Sequence, residues 1–236
     1  MWPSLFSQWL NPLASYEKKR LTLFEKVDNP DLSDYLLNTS FVEDLTMADA
    51  DIVALDFETT GLDPLKDKIL SIGLVNISDS QIDLGSSYHQ HIRNKSLGAK
   101  ETIVIHQITE QQQISGLPLK EALPIILEKL AGKILLAHYA KFDMTLLKRA
   151  VKQCYGVDLP ILAMDTMILG QQHFDKIQRP YQPKDLRLNA LREFHGLPEH
   201  LGHNALNDAV ATAELYLAQA CKRDPDTPIA KLINTY

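Results

Sequence analysis

The chain has 236 residues, a formal charge of −6, 45% hydrophobic and 23% charged residues, which is ordinary for a globular protein with one sizeable core and a small appendage. The acidic balance excludes a broadly basic nucleic-acid coat. It does not exclude an enzyme whose carboxylate-rich site takes up divalent ions and whose grip on phosphate comes from local patches.

The two cysteines, Cys154 and Cys221, lie far apart in helically patterned stretches, and read as buried free thiols of a reducing, cytoplasmic compartment. Met1-Trp2-Pro3 opens no basic-then-apolar leader, so no signal peptide is expected. No apolar run approaches the ~18 residues of a membrane span, so no membrane partner is expected either.

Residues 1–48 read as an N-terminal helical extension. Leu5, Phe6, Trp9 and Leu10, then Leu21, Leu23 and Phe24, mark short helical stretches broken at Asn11-Pro12 and Asn29-Pro30, and Asp31 to Leu37 suits another. The extension either packs on the main domain or offers Trp2, Phe6 and Trp9 to a partner.

The main domain, residues 49–222, begins with an apolar run, Ile52-Val53-Ala54-Leu55, that leads into Asp56-Phe57-Glu58-Thr59-Thr60-Gly61. Side chains alternate along a strand, so Asp56 and Glu58 stand side by side with Phe57 on the other face. Adjacent carboxylates repel unless a cation or a proton sits between them, and hard oxygens suit Mg²⁺ or Mn²⁺. The bland alternative is a pair of solvated carboxylates at a loop.

Ile69 to Ile77 and Tyr88 to Ile92 read as two further strands, and the short polar turns between them favour an antiparallel meander. Then come a helix over Leu119 to Leu130, a buried strand over Lys133 to Ala137, and a helix over Ala140 to Tyr155. Ile161 to Ala163 is a brief apolar run ending at Asp165-Thr166, where Asp165 suits a helix cap. The loop Lys176 to Asp185 interleaves Lys176, Arg179 and Lys184 with Tyr181. It suits either a grip on a nucleic-acid strand or a solvated surface loop. Helices follow over Leu186 to Phe194 and Asn204 to Cys221, the latter capped by Asn204 with Asp208 one turn in. Residues 223–236 are a short C-terminal segment. Strands followed by alternating helix and strand give an α/β domain with a mixed, roughly five-stranded sheet flanked by helices.

Three stretches, Asp56-Phe57-Glu58-Thr59-Thr60-Gly61, His138 with Phe142-Asp143, and His203 with Ala205 and Asp208, occur in this order. Together they resemble the histidine-bearing subclass of the DEDD superfamily of 3′→5′ exonucleases. The nearest likeness is to the epsilon-type proofreading exonucleases of bacterial DNA polymerase III; ribonuclease T and oligoribonuclease belong to the same superfamily. Ile105-His106-Gln107-Ile108-Thr109 is similar to the family's short segment before its second motif. The resemblance covers about residues 51–221 and implies a ribonuclease H-like fold.

It further implies that Asp56, Glu58, Asp143 and Asp208 hold two Mg²⁺ or Mn²⁺ ions and that His203 is the general base. Phosphodiester hydrolysis needs an activated water and a stabilised leaving oxygen, which two ions ~4 Å apart supply. An imidazole, titrating near ~6.5, accepts the water's proton close to neutral pH. By the same resemblance Thr59, Gly61 and Leu62 seat the terminal nucleotide, Leu62 wedging against its base, with His106 near the scissile nucleotide. Phe142 suits base stacking or a core anchor equally.

One departure stands out: Tyr139 follows His138 where the epsilon-like enzymes usually have Asn, and its ring is a candidate to stack on a base. The expected activity is proofreading or repair-type removal of nucleoside 5′-monophosphates from single-stranded or 3′-ended nucleic acid, DNA before RNA, with a polymerase or repair partner. The alternatives are an exoribonuclease, a polymerase-associated binding module with little activity, and a metal-dependent phosphatase of unrelated fold.

Overall fold

The computed structural model describes residues 12–39, 44–94, 110–200 and 202–236. Three strands form the expected meander: β1 (Ile52–Thr59), β2 (Ile69–Ser78) and β3 (Gln81–His91), antiparallel throughout. Beside β1 run β4 (Ile134–Ala137) and β5 (Leu162–Asp165), both parallel to it in sense, and then β6 (Ile233–Thr235), antiparallel to β5. The order is β3-β2-β1-β4-β5-β6.

The sheet is thus mixed, as expected, and β6 brings it to six strands. Periodicity could not announce β6. It is three residues long, and only its place along β5 makes it a strand.

Eight helices are described: α1 (Pro12–Phe24), α2 (Pro30–Asn38), α3 (Glu110–Ser115), α4 (Leu119–Leu130), α5 (Ala140–Tyr155), α6 (Thr166–Lys176), α7 (Leu188–Phe194) and α8 (Ala205–Ala220). None is long and apolar enough to cross a membrane. The alternation of β1 divides the molecule into two cores. Val53, Leu55 and Phe57 face one way, onto α4 and α5. Ile52 and Ala54 face the other way, with Ala213 and Tyr216 of α8. Each fully buried aliphatic side chain there is worth roughly 1.5–3 kcal/mol, which fixes the register that carries Asp56 and Glu58.

The N-terminal helices pack on the first core. Leu32, Tyr35 and Leu36 of α2 are fully buried in it, while Arg20 of α1 donates to the carbonyl of Leu36. Residues 44–47 reach the other end of the chain, where the Ile229 amide donates to Leu45 at 2.8 Å. Trp2, Phe6 and Trp9 lie outside the described residues.

One sequence expectation changes. Cys154 is half-buried, but Cys221 is exposed, contrary to the reading of two buried thiols. It caps the last turn of α8, where the helix runs out into solvent and its thiol contacts only the carbonyl of Ala218. The Lys176–Lys184 loop is exposed almost throughout, as a solvated surface loop would be, but Arg179 and Tyr181 also touch the protein's own rings. The Arg179 guanidinium lies 4.9 and 4.6 Å from the Phe174 and Phe194 ring centres, and Tyr181 packs on Phe174. Cation–π contact with the protein's own rings competes with any nucleic-acid role for these two residues.

Candidate active site

The site forms where β1 ends. Asp56 pairs with Gly73 and Glu58 with Ser71 across β2, so both carboxylates project from the face covered by α8. Gly73 is what allows α8 to arrive there. A Cβ at this position would overlap the Ala205 carbonyl group and the Leu206 amide. The helix therefore lies directly on the strand, with its first turn, including Asp208, beside Asp56.

Asn204 starts α8 where the resemblance needs it to start. Its side chain accepts from the amides of Leu206 and Asn207 at 3.1 and 3.2 Å, a cap worth roughly 1 kcal/mol. As a result Asp56, Glu58 and Asp208 each offer an oxygen within 4.8 Å of the others.

Asp143, the fourth carboxylate, is buried in the first turn of α5 and lies just outside that cluster. Its Oδ1 accepts from the Phe57 amide at 3.2 Å, which ties α5 to the strand between Asp56 and Glu58. Burial holds Asp56 well above the usual carboxylate range, and the negative charges of Asp143, Asp208 and Glu58 push it further. Asp143 is raised too, mainly by burial, with the Phe57 amide pulling the other way. Oxygen donors this close, and this reluctant to ionise together, fit a divalent cation.

The Thr59–Leu62 turn is a fixed object. The Thr59 hydroxyl donates to the Gly61 carbonyl at 2.6 Å. Asp67 accepts from the Thr60 hydroxyl at 2.9 Å and from the Asp63 amide at 2.8 Å. Gly61 leaves room for this arrangement, because a Cβ would come within 2.7 Å of Asp67 Oδ2 and push that carboxylate aside. From α5, Arg149 donates to the carbonyls of Pro64 and Asp67. The tip of this turn is Leu62, 93% exposed.

His203 precedes α8 with φ of +72°, and its amide donates to Asp208 Oδ2 at 3.0 Å. The other motif residues are placed by the core. His138 contacts the Thr166 hydroxyl through Nδ1 at 2.8 Å, and burial lowers it to about 4, so it is a neutral packing residue. Phe142 is half-buried against the first core. His106 lies outside the described residues.

Asp165 caps two helices at once, accepting from Met167 at 2.9 Å and from Tyr139 and Ala140 at 3.0 and 2.9 Å. Tyr139 sits in the left-handed region at φ 63°, ψ 50°. Asn tolerates that conformation far better than most residues, a physical reason for Asn in the pattern that the resemblance implies. The backbone contact to Asp165 survives with Tyr there, and the ring is half exposed.

Sequence reasoning missed Gly73, Ser71 and the histidines of β3. Ser71 pairs with His91 and Gly73 with His89, on the same face as Glu58 and Asp56. Among the described residues, Ser71 Oγ, His89 Nε2 and His91 Nδ1 are buried without hydrogen-bond partners. A glycine inside an apolar strand and a His-x-His alternation were the available signals.

Residues 53–216 match the family profile RNase_T, described as an exonuclease. The chain belongs to this exonuclease family. Its exonuclease domain carries the ribonuclease H-like fold of the DEDD superfamily, in the histidine-bearing subclass. It is 34% identical over 175 residues to a PolC-type DNA polymerase III of Thermotoga maritima, covering 74% of this chain and 12% of the polymerase. To the 3′-5′ exonuclease DinG of Staphylococcus epidermidis it is 29% identical over 171 residues, covering 72% and 18%. The chain thus spans less than a fifth of these relatives.

Among solved structures, cell-death related nuclease 4 superposes with a TM-score of 0.65 at 12% identity, over 75% of this chain and 66% of that one. Exonuclease I of E. coli in complex with single-stranded DNA gives 0.59 at 15%, over 74% and 41%. At these identities the likeness is one of fold.

Proposed function

We propose that the exonuclease domain is a metal-dependent 3′→5′ exonuclease that removes nucleoside 5′-monophosphates from single-stranded DNA ends. The observation that carries this reading is the meeting of Asp56, Glu58 and Asp208 within 4.8 Å, at the foot of the turn that presents Leu62.

Asp56, Glu58, Asp208 and Asp143 would hold two Mg²⁺ or Mn²⁺ ions, which would supply an activated water and offset the charge that develops on the leaving 3′-oxygen. The protein's own groups do the rest. Leu62 wedges against the terminal base, and the Thr59–Gly61 turn seats the sugar of that nucleotide. His203 takes the proton from the attacking water. It does so from a backbone held in the left-handed region by the bond from its amide to Asp208, at a conformational cost of about 1–2 kcal/mol. The half-buried Phe142 adds a wall shared with the core.

DNA is favoured by the relatives, whose names are a DNA polymerase III and 3′-5′ exonucleases called DinG. They also support a replication or repair partner. Residues 49–222 are the catalytic unit, and the extension over residues 1–48, although Leu32, Tyr35 and Leu36 within it pack on the first core, is the candidate docking element. An exoribonuclease is the second reading. Its support is a fold match, at 17% identity and a TM-score of 0.57, to a 3′-exonuclease that recognises a histone mRNA stem-loop.

Matched DNA and RNA oligonucleotides, each labelled at the 5′ or the 3′ end, test these points together. With Mg²⁺ or Mn²⁺ the 5′-labelled DNA should shorten stepwise and the 3′ label should leave as a mononucleotide. Faster loss of RNA makes the enzyme an exoribonuclease. No digestion of any 3′ end leaves a binding module.

A further inference from the structure

Asp208 is held from two sides by one short stretch of chain. Its Oδ2 accepts the amide of His203 at 3.0 Å, and its Oδ1 lies 2.7 Å from Nε2 of His200. His200 belongs to none of the three motifs. With Asp208 ionised, Nε2 carries the hydrogen and donates it, because two acceptors would repel. The two side chains are only 13% and 16% exposed, so this is a sheltered contact rather than a solvent-screened surface pair. The other ring nitrogen of His200 is buried without a partner among the described residues. The ring is therefore oriented by Asp208 alone among the hydrogen bonds described for it.

A carboxylate has about four lone-pair sites. The two donors take one lone pair on each oxygen and leave the others available, and an oxygen of Asp208 lies within 4.8 Å of oxygens of Asp56 and Glu58. We infer that His200 is a positioning residue with two effects through one bond. It fixes the rotation of the Asp208 carboxylate toward the acidic cluster. It also closes the loop that carries His203, whose left-handed backbone needs its surroundings to hold it. The inference rests on Asp208 being a metal ligand of the proposed exonuclease. Partners of ligating carboxylates in other metal sites typically change affinity or activity by about 10–100-fold when removed.

The test uses the full chain and Mn²⁺ alone as the probe. Titration calorimetry should show His200→Ala binding Mn²⁺ about 10–100-fold more weakly than the unmodified protein. His200→Gln, whose amide can donate along the same direction, should recover most of that loss. With metal at saturation, His200→Ala should lower kcat while KM for a short oligonucleotide stays within about twofold, because the loop holds the base rather than the substrate.

Mn²⁺ affinity and kcat both unchanged in His200→Ala would reduce the contact to a surface pairing and overturn the inference. So would a His200→Gln variant as weak as His200→Ala when both melt at the temperature of the parent. If the unmodified protein digests no 3′ end yet its Mn²⁺ affinity responds to His200 in this way, the exonuclease reading falls and the role of His200 stands.

Discussion

The two segments that frame the site are fastened by opposite means. The turn from Thr59 to Lys68 is tied by residues outside the acidic cluster. Asp67 holds it from within, Arg149 holds it from α5, and the Thr60 amide donates to Lys68 at 3.0 Å. His200 and His203 are tied through Asp208, a member of the cluster. The proposed substrate seat is thus held in place whether or not the carboxylates are neutralised. The arm that carries the proposed base answers to the same carboxylate that would bind metal. Preorganisation of the seat favours binding, and coupling of the arm ties proton transfer to a loaded site.

The strongest way to break this contrast is Asp208→Ala, which removes a cluster oxygen and both anchors of the arm. Turnover on a 5′-labelled oligonucleotide should fall on the order of 10³-fold or more, since a bound ion supplies several kcal/mol. Substrate binding, measured by fluorescence anisotropy, should hold if the seat is independent.

Gly73→Ala attacks the packing beneath both segments. Overpacking at the Ala205–Leu206 backbone should destabilise the fold by about 1–3 kcal/mol in urea titrations and weaken Mn²⁺ binding as Asp208 is pushed off the strand. A stable variant with unaltered affinity would show that the helix can shift without opening the cluster.

Asp67→Ala separates the segments in the other direction. Losing an acceptor of two short bonds should cost about 1–3 kcal/mol and raise KM, with Mn²⁺ affinity unchanged. A parallel loss of metal binding would mean that the turn and the cluster are one unit.

Proton linkage sharpens the comparison further. Burial raises Asp56 and Asp143 above their unfolded range, so at these two carboxyls the folded, metal-free chain keeps protons that the unfolded chain has lost. Their contribution to stability should therefore fade as pH rises above the usual carboxylate range. Divalent ions neutralise the same oxygens, so the rise in Tm with Mn²⁺ should grow with pH. A shift independent of pH would place the ion elsewhere.

The smallest effect is expected at Tyr139. Tyr139→Asn relieves a left-handed backbone and should stabilise by about 1 kcal/mol. If the ring also stacks on a base, KM should rise at the same time.

Much of this was legible in the sequence because it is local. Alternation placed Asp56 and Glu58 on one face of β1, turn chemistry placed Gly61, and capping placed Asn204 and Asp165. Each of these follows from residues a few positions apart. The resemblance of three separated stretches added which carboxylates belong together.

Other features depend on partners distant in the chain. β6 is a strand only because β5 offers it an edge, and Gly73 is essential only because α8 crosses it. Asp143 stands against the strand rather than inside the tight cluster because the Phe57 amide claims its oxygen. His200 gains a role only when the turn before α8 folds its ring onto Asp208. The sequence by itself determined the chemistry available and the elements that carry it. The tertiary structure decided which oxygens meet and which neighbours hold them, because hydrogen bonds and close packing between remote segments are set by position in space rather than by spacing along the chain.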